Sequence, residues 1–191
     1  MGGLRKSDVR EIAQAQGFCI AAKPDSQDIC FVPNGDYAHV IALHSTQPPC
    51  PGNFLDLSGN VLGRHRGIIH YTIGQRKGLG LSFQEPHYVC KISPETNTIT
   101  LGGNCDLYEK TLIAADFNWI SGLAPKQPVR CKAKIRYRQM EQSATAAARF
   151  DGTVEVAFDT PQRAITPGQA VVLYDGEVVL GGGTIQSSRN S

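Results

Sequence analysis

Ten residues, VRCKAKIRYR from Val129 to Arg138, alternate without a break. Val129, Cys131, Ala133, Ile135 and Tyr137 take one face; Arg130, Lys132, Lys134, Arg136 and Arg138 take the other. A period of two is that of a strand with one buried and one solvated face. The surrounding sequence repeats the theme. Asp151-Gly152 and Asp175-Gly176 are two-residue hairpin signals, each set between apolar or alternating runs. Thr166-Pro167-Gly168-Gln169 is a turn before the apolar run Ala170 to Tyr174, and Gly181-Gly182-Gly183 interrupts a closing strand as a bulge or a barrel corner would. At least five short strands in about 75 residues, punctuated by turns and free of helix, predict a small antiparallel β-barrel of the six-strand type.

Upstream the pattern changes twice. Ser7 is placed to cap a short helix that Gly17 stops, with Val9, Ile12 and Ala13 as its apolar stripe. Phe18 to Ala22 reads as a strand ended by Pro24. Asp36 can cap a second helix carrying Tyr37, Val40, Ile41 and His44 on one face. Gln47 to Gly52 (QPPCPG) is a break in composition. Beyond it, Phe54 to Leu57 and Val61 to Gly63 form a hairpin, and Tyr88 to Ile92 and Thr98 to Leu101 form two more strands. The expected architecture is mainly β with a short α/β tail: residues 1–46, a small central β domain over 47–106, and the barrel over 107–191.

Hydrophobic content of 41% and charged content of 19% in 191 residues are those of a soluble globular chain able to bury a real core. The net charge of +2 is too small to indicate nucleic-acid binding by itself, so any basic surface must come from local clustering. The six cysteines form no C-x-x-C pair and none has a histidine at zinc-finger spacing. His65 and His70, five apart, suit neither one helix face nor one strand face, so no metal site is expected. No secretory signal opens the chain, and reduced thiols in a cytoplasmic protein are expected rather than a disulfide framework. No apolar run approaches the ~18 residues that span a bilayer.

Three stretches can carry chemistry. In KPDSQDICF, from Lys23 to Phe31, Cys30 stands between Ile29 and Phe31. Strand alternation would anchor those two in a core and leave the thiol beside polar neighbours. It is a candidate nucleophile for sulfur chemistry, although a half-buried structural cysteine fits the same spacing and Asp28 on the same face disfavours a thiolate. Gly74 to Gly80 (GQRKGLG) is a glycine-rich loop in which Arg76 and Lys77 could neutralise a phosphate, or simply a solvated basic turn. It is neither a Walker loop nor a dinucleotide fingerprint. The cations Arg130, Lys132, Lys134, Arg136 and Arg138 would line a strand for roughly 25 Å, a stripe suited to tracking a phosphate backbone or to protecting a sheet edge.

Taken together, KPDSQDICF, PGNFLDLSGNVLGRHRG, YTIGQRKGLG, IRYRQ and TPGQAVVLYDGEVVLGGG, in this order, resemble the C-terminal half of the bacterial tRNA-specific 2-thiouridylases. The resemblance runs from about Gly3 to Ile185. It implies an enzyme that replaces the 2-oxygen of the wobble uridine with sulfur, ATP adenylating that oxygen and a persulfide sulfur displacing AMP. Cys30 matches the family's second cysteine, which carries or receives the persulfide. Arg136 and Tyr137 match a pair that touches tRNA, and Gln169 matches another tRNA contact. Arg76, Lys77, Arg130, Lys132, Lys134 and Arg138 are further possible phosphate contacts. The family's ATP-gripping loop and first catalytic cysteine have no counterpart in these 191 residues. Residues 1–46 would then be the end of a nucleotide α-hydrolase domain, and the chain alone is expected to be an inactive fragment that binds no ATP. Its implied partners are tRNA and a sulfur-relay protein that donates persulfide, with no membrane. Two other readings stand beside this one: a stand-alone RNA-binding module without catalysis, and a tRNA methyltransferase, for which no glycine-rich methyl-donor site is visible.

Overall fold

The computed structural model describes residues 3–23, 32, 37–44 and 49–189. The chain divides into two compact units, Met1–Gln47 and Pro48–Ser191.

In the first unit, α1 (Lys6–Ala15) begins one residue before the expected cap. Arg5 holds the N-cap position, its backbone N–H donates to the Asp8 carboxylate at 3.0 Å, and Ser7 lies within the first turn, its hydroxyl on the same carboxylate. A carboxylate one turn in reaches back to an orphan N–H better than the short serine does, and it also faces the positive end of the helix. Gly17, at φ +73°, ends the helix as expected. Phe18 to Ala22 is not a strand. The Ala21 N–H donates to the Phe18 carbonyl and the Lys23 N–H to that of Ile20, so the segment coils through successive turns, and no strand among the described residues pairs with it. Helix α2 spans Tyr37–His44.

The second unit holds all the sheet structure among the described residues. β1 (Gly52–Leu55) and β2 (Val61–His65) form the expected hairpin. Its turn is tied by the Asp56 carboxylate, which accepts from the N–H groups of Ser58 and Asn60 at 2.8 Å. β3 (Tyr88–Ser93) and β4 (Thr98–Gly102) are the next pair, and β4 runs parallel to β1, giving the order β2-β1-β4-β3. Phe54, Tyr71, Leu79, Val89, Ile99 and Leu101 form its core.

Six longer strands close the antiparallel barrel: β5 (Tyr108–Trp119), β6 (Val129–Lys134), β7 (Gln142–Ala148), β8 (Val154–Arg163), β9 (Ala170–Asp175) and β10 (Val178–Arg189). Around the ring the order is β10-β5-β8-β7-β6-β9. Alternate residues point inward: Ala133 from β6, Ala144 and Ala146 from β7, Val154 and Val156 from β8, Val171 and Leu173 from β9. The glycine run in β10 sits at shifts in pairing register. A Cβ on Gly183 would lie 2.6 Å from the Ala115 carbonyl and 2.8 Å from the Phe117 ring, so the strands can approach here only without side chains.

Candidate functional site

The basic strand is shorter than its alternation suggests. β6 ends at Lys134, and Arg136, Tyr137 and Arg138 lie in the turn that follows. The alternation fails there because Ile135 still plugs the barrel core, at 2% exposure, while the chain after it is drawn away by side-chain hydrogen bonds. The Arg136 guanidinium donates from Nη2 to the Ala164 carbonyl at 2.6 Å, and the Gln139 amide donates to Gln162 Oε1 at 2.8 Å. Gln162 is buried and in turn donates to the Thr160 carbonyl. Ala164 holds a left-handed backbone at φ +52°, which costs about 1 kcal/mol or more for a residue other than glycine. Tyr137 therefore does not join the apolar face. It stands 92% exposed.

The stripe of five cations is also broken at its start. Arg130 is ion-paired with Asp159 on β8, both guanidinium nitrogens engaging the carboxylate, and it reaches Thr145 as well. This pairing holds the Asp159 carboxyl below its usual range. Arg130 is thereby paired with a carboxylate on the outer surface of the barrel, whereas Lys132 stands exposed on that face and Arg138 is exposed in the turn.

What the structure assembles instead is a groove where β6 and β9 part. Their register pairs Lys132 with Tyr174, Ala133 with Leu173 and Lys134 with Val172. Ala133 and Leu173 point inward, so Lys132, Lys134, Val172 and Tyr174 share the outer face. Beyond Lys134 the ladder opens, and Gln169, in the turn before β9, comes to face Arg136 and Tyr137 across a hollow of about 400 Å³. Ile135, Ala170 and Val172 contribute apolar surface, and Lys134 and Tyr174 complete the lining. The Gln169 backbone is fixed by Thr166 and Ile185, leaving its exposed side chain to the groove. Arg136, Tyr137 and Gln169, 33 positions apart in sequence from first to last, thus meet at one place. Tyr174 was missed in the sequence reading. Alternation in AVVLYD would have placed it outward, but only the β6–β9 register puts it beside the lysines.

The glycine-rich loop is separate. Arg76 lines a smaller hollow of about 230 Å³ with Leu79, Phe83 and His87, and Arg76 and Lys77 are both exposed. Gly74, Gly78 and Gly80 all have positive φ. Yet the Gly74 and Gln75 N–H groups are spent on the carbonyls of Val89 and Thr72. Those two backbone donors, at the start of the loop, are therefore turned to strand β3 and to the loop itself rather than to a phosphate.

Cys30 lies outside the described residues. Among those described, Cys90 and Cys131 make poor nucleophiles. Burial, reinforced by Asp106 and Cys105, pushes the Cys90 thiol up to about 11. Burial also raises Cys131, partly opposed by Arg130, and its thiol donates to the Ala144 carbonyl at 3.6 Å. A thiol with a pKa near 11 is about one part in a thousand ionised at pH 8. Alkylation with iodoacetamide at that pH, followed by peptide mass spectrometry, should modify Cys90 about a hundredfold more slowly than exposed Cys105. Equal rates would show that the pocket around Cys90 is open to reagent. His65, a buried titratable side chain, belongs to the core: its Nδ1 accepts from the Gly67 N–H at 3.1 Å, so Nε2 carries the proton and donates to the Asn97 carbonyl at 3.1 Å. Among the described residues no cluster of His, Cys, Asp and Glu is arranged to hold a metal.

Three family models match successive stretches of the chain. A tRNA methyl transferase HUP domain model matches residues 1–34, a tRNA methyl transferase PRC-barrel domain model matches 40–103, and an aminomethyltransferase beta-barrel domain model matches 109–185. The chain is 51% identical over 186 residues to a tRNA-specific 2-thiouridylase MnmA of Acetivibrio thermocellus, covering 97% of this chain and 52% of that protein. It is 50% identical to one of Clostridioides difficile (98% and 52%) and 48% identical to one of Lachnoclostridium phytofermentans (97% and 52%). The chain belongs to the tRNA-specific 2-thiouridylase family. It spans about half the length of the curated relatives it matches. The domain models are described in terms of methyl transfer, but 2-thiouridylases match along nearly the whole chain, and a methyltransferase is not favoured. No helix among the described residues is long and apolar enough to cross a membrane.

Proposed function

We propose that this chain is the tRNA-holding, sulfur-carrying part of a 2-thiouridylase, an enzyme that exchanges the 2-oxygen of the wobble uridine for sulfur in the cytoplasm. The single observation that carries the tRNA half of this reading is the meeting of Lys134, Arg136, Tyr137 and Gln169 in one groove on the barrel wall. Those residues come from one strand and two turns, and no packing requirement of the barrel places two cations, an amide and an exposed aromatic ring together. The Arg136 guanidinium has five N–H donors, of which Ala164 takes one, so its remaining donors are presented in a fixed direction toward a phosphate. Lys132, Arg138, Arg76 and Lys77 are exposed cations that extend the attraction beyond the groove. Arg130 contributes little, being neutralised by Asp159.

The sulfur half of the reading rests on the KPDSQDICF segment and family membership. Cys30 carries the persulfide received from a sulfur-relay donor, and its terminal sulfur is the nucleophile, more acidic and more exposed than a thiol. ATP binding belongs to sequence outside this chain, and the 191 residues alone are inactive in thiolation.

The experiment on the tRNA half is a salt titration. Affinity of the chain for tRNA should fall as salt rises, and Arg136→Ala should weaken binding and make the slope of log K against log salt shallower by about 0.7–0.9, one counterion's worth. An unchanged slope with circular dichroism intact would remove Arg136 from the tRNA interface. The two lysines would then be a solvated edge.

A further inference from the structure

The groove between β6 and β9 has features that a track for a phosphate backbone does not need. Its side walls carry two aromatic rings, Tyr137 on the turn after β6 and Tyr174 on β9. Its apolar surface comes from Ile135, Ala170 and Val172. None of its lining residues is acidic. Three other hollows on this unit each include a carboxylate: Glu85 in one, Glu109 in another, and Asp56, Asp106 and Glu109 in the third. Of these four hollows, the one between β6 and β9 alone offers an anion cations without a carboxylate. The volume, about 400 Å³, lies toward the small end of pockets that enclose one small ligand.

We propose that this groove receives a single unpaired nucleotide of the tRNA, its base against Tyr137 and Tyr174 and its phosphate on Lys134 and Arg136. The proposal rests on the tRNA reading above and adds the class of RNA feature recognised and a residue, Tyr174, with no assigned role. A base inside an A-form helix has its faces covered by its neighbours and its edges in grooves that side chains enter poorly, so aromatic walls recognise only a base that is splayed out. Aromatic stacking holds such a base whatever its identity, and the Gln169 amide supplies one donor and one acceptor that could select an edge. The pocket is preorganised. Tyr174 is held by strand pairing on both sides, to Lys132 and to Val179, and the Tyr137 turn is held by the Arg136 and Gln139 hydrogen bonds.

The test compares two fluorescently labelled RNAs against the 191-residue chain by anisotropy: a tRNA anticodon stem-loop, and a blunt duplex with the same number of phosphates. The wild-type chain should prefer the stem-loop. Tyr174→Leu and Tyr137→Leu should each weaken stem-loop binding by roughly tenfold or more while moving duplex binding less than about twofold, because only the stem-loop offers a base to stack. Tyr174→Phe, which keeps the ring, should bind like wild type. Equal loss for both RNAs, or no loss for either, would overturn the pocket while leaving tRNA binding by charge intact. Wild-type binding to neither RNA would overturn both readings. Thermal melts accompany each variant; should Tyr174→Leu fail to fold, Tyr137→Leu in its exposed turn decides the outcome by the same criterion.

Discussion

Cys30→Ser, introduced into a 2-thiouridylase of the relatives' full length, should abolish sulfur incorporation into tRNA and leave tRNA affinity within about twofold of wild type, since the groove residues are untouched. Serine is close to cysteine in size but cannot form a persulfide, so the loss would be one of chemistry. A structural cysteine predicts the reverse. Its sulfur is a weak hydrogen-bonding group, and a hydroxyl left without a partner in the same place costs about 1–3 kcal/mol, so the melting temperature should drop while sulfur transfer survives. Sulfur incorporation and melting temperature measured on the same variant therefore separate the two. Residual thiolation in a destabilised protein would return Cys30 to the core and end its assignment as sulfur carrier. The same assay on the 191-residue chain alone, supplied with ATP and a persulfide donor, should give no incorporation.

Gly52→Ala should cost about 3 kcal/mol and lower the melting temperature by roughly 10 °C. The new Cβ would stand 2.0 Å from the Asn97 carbonyl oxygen and 2.6 Å from His65 Nε2, between the two partners of a hydrogen bond. Neither partner has room to withdraw. The His65 ring is 2% exposed, packed edge-on against Phe54 and Tyr71, and held through Nδ1 by the Gly67 N–H. Asn97 is in the left-handed region at φ +50°, and its amide donates to the carbonyls of Cys50 and Pro51 at 3.2 Å. The substitution therefore breaks a buried hydrogen bond and overfills the site. pH gives a second signature. Burial holds the His65 pKa below its ordinary 6.5, so the unfolded chain binds the proton more readily than the folded one. Wild-type stability should decline as pH falls below about 6.5 and level off beneath the folded pKa, and a variant that expels the ring should lose that slope. A melting temperature unchanged by Gly52→Ala would mean that the β1–β4 contact opens freely. Gly3→Ala, with open space around the new methyl, is the control.

Local pattern served well where the structure itself is local. The hairpin of Phe54 to Gly63, the β3–β4 pair, the tight β9–β10 turn at Asp175-Gly176 and the glycine run of β10 were legible, because turns and alternation are properties of neighbouring residues. Asp151-Gly152 also lies between two paired strands, but in a five-residue connection rather than a two-residue one. A small antiparallel barrel followed from strand number and spacing, and the structure closes it with six strands. Two local readings failed for want of tertiary information. Phe18 to Ala22 has the composition of a strand but pairs with none among the described residues, and Val129 to Arg138 alternates for ten residues where only six are strand. Its last four residues are turned out of the sheet by bonds to Ala164 and Gln162, side chains and carbonyls some 25 positions away that no periodicity records.

By itself, then, the amino-acid order determined the fold class, most of the turns and the family. Only the tertiary structure decided which cations are available and which are not. Arg130 and Arg136 are equivalent in the alternating pattern, yet one faces a carboxylate on β8 and the other a hollow that lacks one. The physical reason is register. Strand pairing sets which side chains oppose one another across a sheet, and that choice, made between segments distant in sequence, turned five like charges into one neutralised pair, two lysines on the barrel wall and a groove closed by two tyrosines.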